Sequence, residues 1–386
     1  MSTAPQDPQG GPQKPTPRHW AVVEWFEERI NLTELFSIIT NFGIVYTPVD
    51  TRRPLREAMS DLANKPLVSY ARWPQVLGLL TALLFALEAV TGVLLAFYYH
   101  PTSDGAYAST AGIVRDVPLG WFVHQMHNWG AYLLIAVVVL RVLRFFWDRL
   151  YQAPREVLWI TAVMLMWIVL QLDFTGRLLP YDVKSYWSAM RGLEIVCSQP
   201  VVGPFISFVL GGHVITENVL LRCYVLHVVV LPLLYLVFIY LTFASMRRIG
   251  FHVSSAEGGD ASQLTTWRKH TLDYVIFQLL LFAGLVTLAT LLPFRFHGPA
   301  DPYSTPAGTR PPWYLLAPYL LVQYIPGPAW IAGTILLVSG LALPIVPLWA
   351  AYHPRRLPEA RLRQAGVGLF ALWAVLTILG QFVGKR

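Results

Sequence analysis

Seven stretches of this chain stay apolar for about 20 residues or more, and segments rich in proline, glycine and charge separate them. They fall at about 75–99, 121–146, 157–176, 222–246, 271–293, 326–350 and 364–383. A bilayer core about 30 Å thick takes about 20 apolar residues of helix, so each run predicts a transmembrane helix. The pattern before the first run is different. Residues 1–17 are mostly Pro, Gln and Gly and predict a disordered lead-in. From Trp20 the apolar positions Trp20, Val23, Phe26 and Ile30 alternate with Glu24, Glu27, Glu28 and Arg29. That spacing predicts an amphipathic helix lying on a membrane surface. No apolar core of a cleavable signal peptide is expected in this polar segment.

Composition agrees with the pattern: 55% of the 386 residues are hydrophobic and 13% are charged. This excludes an ordinary soluble domain. Charge adds an orientation. With seven spans the two termini lie on opposite sides, and the N-terminal side receives 20 of the 29 Lys and Arg. Positive charge collects on the cytoplasmic side, so the N-terminus is expected in the cytoplasm (the n-side) and the C-terminus outside (the p-side). The net charge of +7 follows from this bias. No interleaved basic and aromatic surface points to nucleic acid. Phosphate loops, zinc spacings and nucleophile elbows are absent from the sequence.

Two of the spans carry a histidine near their first end. One is WFVHQMHNWGAYLLIAVVVLRVLRFFW, from Trp121 to Trp147, with His124 and His127. The other is RCYVLHVVVLPLLYLVFIYLTFASMRR, from Arg222 to Arg248, with His227. Neutral imidazoles from two neighbouring membrane helices can clamp a haem iron from both faces, and His127 and His227 are the candidate pair. Gly78 and Gly92 stand fourteen residues apart, four turns along one face of the first span. A helical glycine costs about 1 kcal/mol against alanine, so the pair predicts a flat group or a close helix packed there. The two cysteines, Cys197 and Cys223, both fall on the outer side, where a disulfide or two partly buried free thiols would be compatible with the sequence.

Several motifs occur in one order: WFEERI, TGVLLAFYYHPTSDGAYAS, GWFVHQMHNWGAYLL, PREVLW, TGRLLPYD, LLRCYVLHVVVLP, and later ADPYSTPAGTRPPWY. The chain resembles cytochrome b of the quinol-oxidising bc and bf complexes over roughly residues 20–383. The plant and cyanobacterial form is the nearest in pattern, with a part like subunit IV fused to it. The resemblance implies a four-helix haem-binding bundle plus three further transmembrane helices. It divides the chain into a lead and surface helix (1–73), a haem bundle (74–250) and a subunit IV-like region (251–386). It implies haem b, quinone or quinol as substrate, and Rieske iron–sulfur or c-type cytochrome partners. It also implies lipid around the spans, a homodimer or larger complex, and a bacterial inner membrane.

The family uses two haems, each held by one histidine from the second and one from the fourth helix. By resemblance the p-side ligands are His127 and His227, backed by Gly92 and Gly176. Arg222 stands where a propionate-binding arginine is expected, and His124 takes the place of a second one or is the alternative iron ligand to His127. The n-side ligand positions hold Arg141 and Thr242. Neither ligates iron well, since arginine stays protonated and a threonine hydroxyl is a poor donor. The third-helix glycine on that side is Ala162, with Met164, Met166 and Trp167 nearby to fill the space. One p-side b haem is therefore expected. Val76 stands where the chloroplast form ties an additional haem to cysteine.

The quinol motif of the family, Pro-Glu-Trp-Tyr, reads Pro311, Pro312, Trp313, Tyr314. Its proton-accepting glutamate is replaced by Pro312. Asp173, an ionisable group inside the third span, is the candidate substitute, or else the partner of Arg177. Two functions follow from the resemblance. One is a quinol-oxidising cytochrome b subunit using Asp173, Trp313 and Tyr314. The other is a non-catalytic haem-bearing anchor of a larger complex. A solute transporter fits less well, because no inverted repeat is evident.

Overall fold

The computed structural model describes residues 54–64, 66–68, 73–249, 264–306, 310–325 and 327–382, besides the isolated positions 23 and 52. Except for Val23, the surface helix expected from Trp20 lies outside the described residues, as does the lead-in. The chain forms two compact units. The smaller one contains helix α1 (Leu55–Asn64). It also holds an antiparallel pair of three-residue strands, β1 (Pro66–Val68) and β2 (Leu264–Thr266), with Leu67 opposite Thr265. Among the described residues this ladder and an isolated antiparallel bridge between Asp182 and Pro299 are the β pairings of an otherwise helical chain.

The larger unit is helical. Helix α2 spans Trp73–Ala96, α3 Gly105–Arg115, α4 Gly120–Trp147, α5 Glu156–Leu178, α6 Val183–Cys197 and α7 Gly203–Leu210. Helix α8 (Glu217–Val225) runs through a π-helical turn, Leu226–Val230, into α9 (Leu231–Ile249). Then follow α10 (Trp267–Leu291), α11 (Leu316–Tyr324), α12 (Ala329–Tyr352) and α13 (Glu359–Phe382). Seven of these paths are long and apolar enough to cross a membrane, with α8 and α9 counting as one. The protein is an integral membrane protein of the all-α class.

The π turn has a local cause. Pro232 has no N–H to give the carbonyl of Val228, and its ring would collide with that carbonyl in a regular α-helix. The ladder relaxes instead to an i→i−5 bond, from Leu231 N–H to the Leu226 carbonyl. Single π turns recur at functional sites, and this one contains His227.

Helices α2, α4, α5 and α9 form a bundle in which α2 packs on α4, α4 on α5, and α5 on α9. Its core includes Leu84, Ile135, Val138, Trp159, Leu165 and Tyr235, all nearly inaccessible. The start of α4 is fixed by Gly120, where any Cβ would collide with the Ile113 carbonyl. Helix α12 packs on α5. There the Trp159 indole N–H donates to the Pro344 carbonyl at 3.1 Å. A Cβ on Gly340 of α12 would stand 3.8 Å from Trp167 Cζ2, so Trp167 serves this helix contact.

At the histidine end, short helices and loops cover the bundle. Asp182 caps α6 by accepting from Ser185 N at 2.7 Å, and its other oxygen accepts from His297 N at 3.2 Å. Val183 N donates to the Gly298 carbonyl, and the Trp187 indole to the Asp301 carbonyl. These bonds strap the loop after α10 onto α6. Gln125 adds a two-way clasp with the backbone of Phe294.

Candidate functional site

Helices α4 and α8–α9 bring His127 and His227 together, with their rings nearly perpendicular. The ring centroids are 6.1 Å apart and the planes lie at 82°. A first-row metal binds imidazole nitrogen at about 2.0–2.1 Å; two such bonds and two half-rings sum to roughly 6 Å. The donor pair therefore fits one metal atom between the rings.

The proton positions fit as well. Thr91 Oγ1 donates its single hydrogen to its own helix, at 2.8 Å from the Leu87 carbonyl, and lies 2.9 Å from His127 Nδ1. A hydroxyl bonded in this way accepts from Nδ1–H, the tautomer that leaves Nε2 its lone pair. Thr175 repeats the arrangement. It donates to the Gln171 carbonyl at 2.8 Å and lies 3.4 Å from His227 Nδ1, which is 3.0 Å from the Leu172 carbonyl. Such outer partners orient a metal-binding imidazole and fix its tautomer.

Each threonine precedes a glycine that faces the same ring. A Cβ on Gly92 would stand 3.3 Å from His127 Cε1, and one on Gly176 would stand 2.5 Å from His227 Cε1. The two Thr-Gly pairs, Thr91-Gly92 and Thr175-Gly176, thus form matching cradles. The residues present fit a flat, bis-histidine haem.

His124 lies one turn before His127 and does not join the pair. Its ring is 3.4 Å from the Asn128 amide nitrogen, which donates to the His124 carbonyl at 2.8 Å. The Arg222 guanidinium reaches the last turn of α7, donating to the Phe208 carbonyl and, at 3.3 Å, to that of Val209. Its charge there meets the negative end of a helix dipole.

Asp173 and Tyr314, 141 residues apart, do meet. The Tyr314 hydroxyl donates to Asp173 Oδ2. Arg177 holds the same carboxylate through two bonds, Nε to Oδ2 at 2.6 Å and Nη2 to Oδ1 at 2.8 Å. The guanidinium also lies over the Tyr132 ring at 4.9 Å. Burial and the Asp173 charge hold the Tyr314 phenol above its ordinary range, so it remains a donor. Trp313 packs edge-on against the Tyr314 ring at 5.7 Å and against Trp373 of α13 at 6.1 Å.

The opposite end of the bundle is built differently. Arg141 is buried, its guanidinium 5.1 Å from the Phe145 ring centre. Thr242 is buried and donates to the Phe238 carbonyl of its own helix at 2.9 Å. Between the two levels, Phe85 and Tyr235 stack at 3.8 Å, and the Tyr235 hydroxyl donates to the Thr81 carbonyl at 3.1 Å. Ala162 and Met166 of α5 are also buried.

Three side chains of the site were missed by sequence reasoning: Thr91, Thr175 and Glu88. Glu88 of α2 puts Oε2 3.1 Å from His127 Nδ1. The available signal was a lone carboxylate within an apolar run, four residues before Gly92.

Comparison with known proteins identifies the family and the fold. The family profile Cytochrome b/b6/petB matches residues 61–250, and Cytochrome b(C-terminal)/b6/petD matches 299–386. Cytochrome b6 of Heliobacterium modesticaldum is 40% identical over 174 residues, 45% of this chain and 82% of that protein. Cytochrome b6 of Prochlorococcus marinus (strain MIT 9303) is 31% identical over 213 residues, 55% of this chain and 98% of that protein. A chain of the solved Hyperthermophilic respiratory Complex III shares the fold, with TM-score 0.69 and 22% identity, over 94% of this chain and 99% of that one.

Proposed function

The chain belongs to the cytochrome b/b6 family of membrane electron-transfer proteins, whose cofactor is haem b, and on that premise we propose that it carries a single b haem, held by His127 and His227, in a quinol-linked complex. The observation that carries this reading is the contrast between the two ends of one bundle. At one end two imidazole rings stand 6.1 Å apart, each backed by a glycine. At the other, the equivalent positions are Arg141 and Thr242, one protonated and one bonded to its own helix.

A bis-histidine b haem supplies one-electron transfer without an open coordination position. The protein's own residues do the rest. Thr91 and Thr175 hold the Nδ1 protons, Gly92 and Gly176 give a flat group room against the rings, and the apolar bundle keeps water out. The histidine end faces the p-side by the excess of Lys and Arg on the other side. Electrons then leave there to a Rieske or c-type cytochrome subunit. His127 and Arg141 are fourteen residues apart, about 21 Å along a helix. No second haem bridges that distance in this reading, so a Q cycle does not run through this chain alone.

The quinol site is the point on which two readings divide. Tyr314 and Asp173 lie together where the family motif would meet the third span, which favours quinol oxidation with Asp173 as proton acceptor. Both oxygens of Asp173 are already taken, by Arg177 and Tyr314, and Pro312 supplies no carboxylate; both favour a haem-bearing anchor that only relays electrons. Adding a quinol analogue to the purified protein separates them. A shift of the haem spectrum, lost in Tyr314→Phe, supports the catalytic reading, and an unchanged spectrum supports the anchor. Loss of the low-spin spectrum in both His127→Ala and His227→Ala tests the ligation itself; a bis-histidine signal surviving either change would refute it.

A further inference from the structure

The two halves of the histidine site match in threonine and glycine but differ in a third group. His227 Nδ1 has a peptide carbonyl, that of Leu172, at 3.0 Å. His127 Nδ1 has the carboxyl of Glu88 at 3.1 Å in addition to Thr91. Glu88 is a costly residue to place there. An ionisable side chain within a membrane span is costly to insert and is a functional candidate by default. Glu88 keeps only 11% side-chain exposure, and its second oxygen, Oε1, is buried without a hydrogen-bond partner.

The neighbouring helix is shaped to admit it. Gly130 of α4, three residues after His127, has no Cβ, and any Cβ built there would collide with Glu88 Oε1. Gly130 is the notch through which the carboxyl reaches the imidazole. The costly group and the notch share one visible contact of chemical consequence, the Nδ1 of His127.

We propose that Glu88 is a positioning residue for His127, accepting half of a bifurcated hydrogen bond from Nδ1–H whose other half goes to Thr91. This fixes the ring about its axis and makes His127 the more electron-donating of the two imidazoles, because a hydrogen-bonded second shell raises the basicity of a ligating histidine. The inference rests on the reading of His127 and His227 as the ligand pair. A stronger donor favours the oxidised iron, so Glu88 sets the reduction potential below what Thr91 alone would give.

The test uses the full chain, purified in detergent, with haem content by pyridine haemochrome, redox titration, and the low-spin electron paramagnetic resonance spectrum. E88L should retain the haem with its midpoint raised by at least a tenfold change in the reduction equilibrium, about 59 mV for one electron. E88Q should stay near the parent protein, because the amide oxygen still accepts. G130A, which expels the carboxyl without altering it, should follow E88L. Loss of haem from E88L with retention in E88Q would support the same assignment. An unchanged midpoint and spectrum in both E88L and G130A would overturn it, and so would E88Q behaving like E88L. Failure of the ligation reading shows separately: His127→Ala would then keep its bis-histidine spectrum whatever Glu88 does.

Discussion

Alanine at Gly176 should cost the chain most of its haem, whereas alanine at Gly92 should cost little. A Cβ on Gly176 would stand 2.5 Å from Cε1, 2.9 Å from Nδ1 and 3.1 Å from Nε2 of His227. On Gly92 the nearest atoms would be His127 Cε1 at 3.3 Å and Nδ1 at 3.9 Å. Carbon atoms pack comfortably at about 3.5–4.0 Å. His227 must therefore retreat by about 1 Å, enough to break its 3.0 Å bond to the Leu172 carbonyl, while His127 gives by a few tenths of an ångström. Overpacking of this kind costs about 1–3 kcal/mol, which weakens haem retention about 5- to 150-fold. Alanine in a helix is itself favourable by about 1 kcal/mol over glycine, so both variants should still fold. The assay is haem per chain by pyridine haemochrome after equal washing, with thermal unfolding as the check on folding. Equal retention in G176A and G92A, or greater loss from G92A, would refute the cradle geometry.

Three further outcomes follow. D173N leaves Arg177 with half its partner and should destabilise the protein by about 2 kcal/mol, below the 3–5 kcal/mol of a fully buried pair, because Arg177 keeps 28% exposure; an unchanged melting temperature would contradict the pairing. Cys197 and Cys223 are both free, and burial pushes the Cys197 thiol up; two thiols should be titrated in denaturant without reductant, and none found there would mean a disulfide. A reporter fused after Arg386 should be active outside the cytoplasm, and cytoplasmic activity would overturn the proposed orientation.

The spans were legible because a bilayer imposes one length and one polarity on every crossing helix. The 121–146 and 157–176 runs became Gly120–Trp147 and Glu156–Leu178. The π turn was written in the sequence as Pro232, though its consequence needed the backbone. Gly92 and Gly176 were expected against a haem; which histidine each one faces, His127 for Gly92 and His227 for Gly176, needed the structure. The long-range pairings were not legible. Nothing local to Arg222 says that α7 will present its last carbonyls to it. Nothing local to Asp173 says that Tyr314 will arrive from 141 residues away. Trp167 was expected to fill the place of a missing haem; it turns to α12, because a helix has several faces and periodicity alone does not say which neighbour each one meets. Glu88 was overlooked for a different reason. One carboxylate barely perturbs an apolar run of 24 residues, and its meaning comes from the histidine and the glycine on the next helix.

The central claim is one haem per chain, and its most direct test is haem stoichiometry joined to a redox titration of the purified protein. The account predicts one b haem per polypeptide and a single one-electron wave, abolished in His227→Ala and insensitive to inhibitors of an n-side quinone site. Two haems per chain, two waves, or a haem still reducible through an n-side inhibitor-sensitive site would contradict it.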